Sequence, residues 1–507
     1  MDSRGDELSN TAPGAEEVGV LPWPLLLRER VQDRLSEHPR YPWAVLVVSL
    51  FGLFSVGFTI TILSVSIPRI AGDLGSDVST VTWVVTGPLL AFAVVGPAMG
   101  KLGDLHGHRR VYAWSMAGVA VFAALTALAW SAGALILFRT LGAATGAATG
   151  PASIALINQL FPRERRVQAM GYWTMVGAGG PVVGVVAGGP VVEAFGWRWI
   201  FVAQAPLALA GLLMAVVVLP DTPRRRAEFD VAGAVVLALG ATALLLAINR
   251  GPSWGWSSPA IVAGFAMAPV AVVAFALIER RVSSPLLPLA YLRQRNFTFA
   301  IATQCFTNFA YMGGFVITPL FLESVFDYPE TRVGGLMISR PLAFAISGPL
   351  AGYAAVRIGE RTSAIVGAVF VVASMLALST VAPGSSDLVI IGSLALSGIG
   401  LGCSSPSLAA SIANAVDERD LGVAGAFQQM MTQLGVVLGI QLMQTVAVVR
   451  EGAVGEVEAF GEAYLLAAAV AAVGVLCAGF VQSSRRDEAA PRDGLVDDPP
   501  GVAIATP

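Results

Sequence analysis

Arg139 and Arg340 each lie inside long runs of apolar residues. An arginine in a bilayer-length apolar helix costs about 2.5–3.5 kcal/mol on insertion scales, so each is a candidate fixed cation facing a cavity. Snorkelling of the long side chain to the surface is the competing account. Gln304, Asn308 and Tyr311 fall at i, i+4 and i+7 of one apolar run, and Gln429 and Gln433, with Gln428 adjacent, share a face in another. That spacing gathers polar groups on one side of a helix, which turns toward a cavity or a partner helix. A third cluster is the strip "GPAMGKLGDLHGHRR" at 96–110, which puts Lys101, Asp104, His106, His108, Arg109 and Arg110 between two apolar runs. His106 and His108 read as solvated loop residues, not metal ligands, because no third ligand lies nearby. Only three histidines exist and none sits in an apolar run. No catalytic residues, metal, cofactor or nucleic-acid partner are therefore expected, and the chain does not read as an enzyme.

The elements that must position these residues follow from composition. The chain has 507 residues, 55% hydrophobic and 13% charged, about half the charge of an ordinary soluble domain. The charge gathers at the two termini and in short strips between apolar runs, the pattern of an all-α protein that crosses a membrane many times. With about 20 apolar residues needed per crossing, fourteen spans are expected: 43–67, 81–100, 111–130, 133–160, 166–191, 197–219, 231–249, 259–278, 297–324, 333–355, 362–381, 388–412, 422–448 and 460–482. Sixteen basic residues, including Lys101, Arg109, Arg110, Arg163 and Arg361, fall on one side, against five on the other: Arg69, Arg198, Arg250, Arg332 and Arg450. The richer side is expected to be cytoplasmic, with both termini there. The opening "MDSRGDELSN" is polar and is not a cleaved signal. Residues 25–35 fit a helix on the membrane surface or a short solvated helix, and residues 483–507 a disordered cytoplasmic tail. Cys305, Cys403 and Cys477 lie in apolar runs and read as small core residues. Lys101 is the only lysine. Arginine in its place, with abundant Ala, Gly and Val, suggests a GC-rich bacterial gene and a bacterial inner membrane.

The strip at 96–110 has an echo, "GPLAGYAAVRIGERT", at 348–362. Gly96, Pro97, Gly100, Gly107 and Arg109 return as Gly348, Pro349, Gly352, Gly359 and Arg361, each displaced by 252 residues. The displacement maps the second span onto the tenth. Residues 43–220 and 297–482 are thus expected to form two parallel six-helix halves, with spans seven and eight an inserted pair within a linker at 221–296, after a cytoplasmic segment at 1–42. Two such halves around a cavity resemble the major facilitator transporters. The strip resembles their signature G-x-L-a-D-r-x-G-r-r through Gly100, Leu102, Asp104, Gly107, Arg109 and Arg110. "LILFRTLGAATGAATGPASIALI", with Arg139, resembles the fourth-helix signature. "GYWTMVGAGGPVVGVVAGGP", with Gly180, Pro181 and Gly184, resembles the fifth-helix signature of antiporters. "GWRWIF" at 196–201 and the inserted pair resemble the fourteen-helix drug:proton antiporters of the EmrB/QacA type.

The resemblance implies export of a small amphipathic drug, natural product or lipid-like molecule by alternating access, coupled to protons, by a monomer in the bilayer. It implies that Asp104 is a latch, capping a helix of the other half and pairing with arginine when the cytoplasmic side is closed. The second copy has Val356 in place of the acid, as an asymmetric latch would. It implies a hinge and a seal at Gly180, Pro181 and Gly184, although close helix packing alone accounts for most of that spacing. Arg139, Arg340, Thr59 and the glutamine faces would then serve the cavity or coupling. Two departures stand out. "FTITILSVSIP" at 58–68 has Thr59 where the family carries its membrane aspartate, and Gly142 and Ala143 replace Gln-Gly. No acid lies in the central third of a span, which leaves Glu193 and Glu323, at helix ends, as candidate proton carriers. A cavity with arginines and no buried acid favours anionic or zwitterionic amphipaths. The alternatives are a lipid carrier or facilitator without proton coupling, and a transporter-like sensor.

Overall fold

The computed structural model describes residues 37–81, 83–222, 228–283 and 285–482. The surface helix expected at 25–35 and the tail from 483 fall outside them. Among the described residues all regular structure is helical. The helices are α1 (Tyr41–Gly57), α2 (Thr59–Asp73), α3 (Val78–Val81), α4 (Trp83–His106), α5 (His108–Ala127), α6 (Ala132–Gly146), α7 (Thr149–Leu160), α8 (Arg163–Phe195), α9 (Arg198–Val218), α10 (Val231–Trp254), α11 (Pro259–Glu279), α12 (Arg295–Phe326), α13 (Glu330–Met337), α14 (Ser339–Ile358), α15 (Glu360–Ser379), α16 (Asp387–Asn414), α17 (Leu421–Val454) and α18 (Glu456–Phe480).

Twelve spans among the described residues are long and apolar enough to cross a bilayer, with α6–α7 and α13–α14 each counted as one. The expectation of fourteen exceeds this by its first and fifth members. The first is divided at Phe58 into helices of 17 and 15 residues. The fifth, α8, runs unbroken for 33 residues; several of its side chains, including those of Pro181 and Gly184, lie outside the described set. The bilayer reading also explains the surface. The helix α11 exposes Val262, Val270, Val272, Val273 and Leu277, an apolar face that water would penalise and acyl chains would cover.

Glycine sets the geometry of the repeated strip. Gly107, between α4 and α5, has φ +94°, and Gly359, its counterpart between α14 and α15, has φ +88°. Side-chain-bearing residues rarely hold that backbone. The repeat carries into packing: α4 lies against α17, and α14 against α8. A Cβ on Gly100 would collide with the Gly422 carbonyl, and one on Gly352 would meet the Val167 carbonyl at 2.9 Å. Each strip thus brings its helix backbone to backbone against a distant helix.

The inserted helices α10 and α11 pack on each other, with the Gly264 backbone against Ala247 and Ala243. Helix α10 also touches α4 and α17 and so covers the seam between them. Its partner's exit is fastened to that seam. Lys101 on α4 donates to the Pro285 carbonyl at 2.6 Å, while Glu279 at the end of α11 accepts from the Leu286 and Leu287 N–H groups.

Candidate functional site

At one end of the molecule, Asp104 closes the α4–α17 seam. The first N–H groups of a helix lack intrahelical partners. Asp420 occupies the capping position of α17 but does not cap it; its carboxylate accepts from the Tyr291 hydroxyl at 2.7 Å instead. Burial, and that hydrogen bond, push the Tyr291 phenol well above its ordinary pKa. The orphaned Gly422 and Val423 N–H groups donate to the two carboxylate oxygens of Asp104, each at 3.0 Å. A buried carboxylate at a helix N-terminus contributes about 0.3–2 kcal/mol.

The basic residues around it are arranged differently from the expectation. His108 is not solvated. It is 2% exposed, and its Nε2 lies 3.1 Å from Asp104 Oδ1. Among the described residues no arginine pairs with Asp104. Arg109 turns to the Val216 carbonyl and to Asp221, 3.1 Å away, and Arg110 is exposed. The reason is the turn at Gly107: with φ +94° it separates α4, ending at His106, from α5, starting at His108, and the chain folds the His108 ring back over Gly103 and Asp104. His106 is exposed, beside Trp114. A second set of contacts, which sequence reasoning missed, joins distant elements nearby. Arg166 at the start of α8 donates to Asn414 Oδ1 at 2.8 Å, and the Tyr172 and Tyr353 hydroxyls meet at 3.1 Å.

Away from this end, a cavity of about 400 Å³ lies among the helices. Its wall includes Arg139, Gln304, Asn308, Tyr311, Gln429 and Gln433, so six of the expected cavity residues converge. Gln428 donates to Gln304 Oε1 at 2.9 Å, and Asn308 donates to the Gln304 carbonyl at 2.8 Å. The amides are therefore partly tied to one another. Phe92, Phe138, Trp173, Phe315 and Phe344 supply flat apolar surface.

Arg139 is the only charged residue in this wall among the described residues. It is 8% exposed, its Nε is buried without a hydrogen-bond partner, and its guanidinium lies 5.5 Å from the Phe201 ring centroid. Arg340 is a correction to the expectation. It is fully buried outside the wall, where its Nε donates to Ser397 at 2.7 Å and its Nη1 to the Tyr311 carbonyl at 2.9 Å. It fastens α12, α14 and α16 together and positions Tyr311. Thr59 is also absent from the wall; it is buried, and its hydroxyl turns back to the Val56 carbonyl. A Cβ on Gly180 would meet the Phe54 ring at an ordinary 3.6 Å, and α8 stays one helix through the expected hinge. Glu193 and Glu323 are both exposed and outside the wall. Sequence reasoning missed Gln204 and Trp173, which line the cavity. A lone amide in the apolar α9 was the available signal for Gln204.

The comparisons agree with this architecture. The sequence matches the family model of the Major Facilitator Superfamily over residues 49–440 and, in a second match, 307–495. It is 30% identical over 413 residues to the tetracenomycin C resistance and export protein of Streptomyces glaucescens, covering 81% of this chain and 77% of that one. It is 32% identical over 419 residues to the puromycin resistance protein pur8 of Streptomyces alboniger, covering 81% and 82%. The multidrug transporter protein MdtP of Bacillus subtilis is 28% identical over 426 residues, covering 83% and 78%. In fold, the chain resembles the proton:xylose symporter XylE with a TM-score of 0.63 at 14% identity, covering 87% of this chain and 96% of that one. A multi-pass helical architecture and a family match across most of the sequence lead to one conclusion: the chain is a transporter, not an enzyme, and belongs to the Major Facilitator Superfamily.

Proposed function

We propose that this chain exports small amphipathic molecules from a bacterial cell by alternating access. The observation that carries the proposal is the cavity: aromatic faces, a band of amides and one unpaired cation, lying away from an end closed by Asp104. Such a wall suits a flat apolar body bearing carbonyl, hydroxyl or acidic groups. Export is a trait of the tetracenomycin C relative, and we extend it to this chain.

In this reading residues 43–220 and 297–482 are two halves that rock about the cavity. Residues 41–73 and α8 complete fourteen crossings as the first and fifth spans, and α10–α11 are an inserted pair of the EmrB/QacA type. The Arg-rich end that holds Asp104 is cytoplasmic, as are both termini, and the working unit is a monomer. The described contacts then represent the state closed to the cytoplasm. Proton coupling is the family-based expectation, but the exposed positions of Glu193 and Glu323 argue against them as carriers. A facilitator without proton coupling gains ground for that reason.

The test is accumulation of fluorescent amphipaths in bacteria lacking their own efflux pumps. Expression of the chain should lower cell-associated dye, and Gln433→Trp, which fills the cavity wall, should restore it. Equal accumulation with and without the chain across anionic, neutral and cationic dyes would sink the exporter reading.

A further inference from the structure

The wall of the cavity carries a formal charge of one sign. Among the described residues that line it, Arg139 is charged and none is acidic. Its Nε is buried and unpartnered, and its guanidinium lies over the neutral Phe201 ring. A buried cation without a counter-charge is costly, and it stays affordable where a ligand supplies the missing anion. Arg340 is likewise buried without an acid, and its Nη2 has no hydrogen-bond partner, but its Nε and Nη1 are held by Ser397 and the Tyr311 carbonyl and it does not reach the wall, so a ligand in the cavity meets Arg139 and not Arg340. Arg250 stacks on Trp83 and is likewise outside the wall. The acids nearest to the spans' interiors, Glu193 and Glu323, are exposed at helix ends.

We propose that Arg139 is the binding point for the anionic group of the substrate, and that membrane potential, not a proton gradient, drives export. This rests on the exporter reading and narrows its substrate class from amphipaths in general to amphipathic anions: carboxylates, sulfonates or ionised phenols and enols.

The charge accounting is as follows. With the anion on Arg139 the loaded cavity is neutral, so the outward step carries no net charge. The empty cavity carries one positive charge on its return. In a cell whose interior is negative that return runs downhill, and each cycle moves one negative charge out. No carboxylate needs to bind a proton within the membrane. Zwitterions and neutral molecules leave the loaded cavity positive and gain nothing from the potential. A cation would add a second positive charge to a low-dielectric wall.

The test uses the full-length chain in proteoliposomes and 1-anilinonaphthalene-8-sulfonate as the probe. Its sulfonate stays ionised throughout, so the probe cannot carry a proton itself. A potassium gradient with valinomycin sets the potential; a pH gradient at zero potential is imposed separately. Protein-free vesicles give the leak. The anion should accumulate on the positive side, about tenfold for each ~60 mV. That ratio follows from about 2.3 kcal/mol per charge per 100 mV and 1.4 kcal/mol per tenfold. The pH gradient should give no accumulation. Arg139→Lys should keep the potential response, and Arg139→Gln should lose it by tenfold or more. Accumulation under the pH gradient alone, or an Arg139→Gln chain that follows the potential as the unmodified chain does, would overturn the inference and leave the exporter reading standing. So would transport of ethidium by the pH gradient with no transport of the sulfonate. No movement of either probe beyond the leak, under any gradient, would overturn both readings.

Discussion

At the scale of single residues, the proposed latch rests on Asp104 doing for α17 what its own capping residue, Asp420, does not. The two bonds from Gly422 and Val423 end on a charged acceptor, and a hydrogen bond to a charged group contributes about 1.5–3 kcal/mol. Asp104→Asn leaves one carbonyl oxygen for two donors and turns an amide toward them. The expected result is normal insertion with the latch open for more of the time. Lys101 offers the readout. It is the only lysine in the chain, it is buried, and it is held to the Pro285 carbonyl. Acylation of Lys101 by an amine reagent, followed by mass spectrometry, should be several-fold faster in Asp104→Asn. Unchanged protection with unchanged flux would reduce the strip to a topology anchor. His108 tests the same site from the other side: His108→Arg places a cation opposite the Asp104 carboxylate across the Gly107 turn and should preserve protection of Lys101, whereas His108→Ala should not.

Two predictions belong to helices. A Cβ at Gly100 would strike the Gly422 carbonyl and the Ala426 side chain, while one at Gly96 meets nothing within 4 Å. Forcing atoms into packed contacts costs about 1–3 kcal/mol. Gly100→Ala should therefore lower thermal stability and open the α4–α17 seam, while Gly96→Ala, one turn away on the same helix, should do neither. Equal effects of the two substitutions would remove the close-packing argument. The second concerns α12. Gln304, Asn308 and Tyr311 line the cavity, whereas Phe309 lies in a hydrophobic cluster with Ile317 and Phe321, and Phe306 packs its Cβ near Gly474. In a chain whose three native cysteines are replaced by alanine, Cys at 304, 308 or 311 should react with small polar thiol reagents. Cys at 306 or 309 should stay unreacted. Uniform reactivity around the helix would mean that the polar face does not border an aqueous space.

For the whole molecule, alternating access requires the contacts at the Asp104 end to part and re-form. The Tyr172 and Tyr353 rings meet edge to face with centroids 6.4 Å apart, one on α8 and one on α14. Tyr172→Cys with Tyr353→Cys, bridged by a short bifunctional reagent that contains a disulfide, should stop flux, and reduction should restore it. Flux undiminished in the bridged chain would show that these two helices do not separate during transport.

The sequence by itself determined which segments are helices and how they repeat. Apolar run length is a local property, so every expected span is occupied by helix, although those expected at 43–67, 133–160 and 333–355 are each divided in two. The displacement of 252 residues reappears as matching positive-φ turns at Gly107 and Gly359, because backbone conformations that only glycine tolerates mark the sequence directly. The polar face of α12 was legible for a similar reason: three polar groups at helical spacing stand out against an apolar background. The partners of charged residues were not legible. His108 and Arg109 are adjacent and both basic, yet one pairs with Asp104 and the other with Asp221, because consecutive residues on a helix point about 100° apart. Arg139 and Arg340 look alike in sequence, yet one lines the cavity and the other fastens three helices. In a membrane bundle most helices are apolar on several faces, so hydrophobic periodicity does not show which face turns inward. Only packing against neighbours fixes that rotation, and it put Gln204 and Trp173 into the cavity wall while it turned Thr59 away.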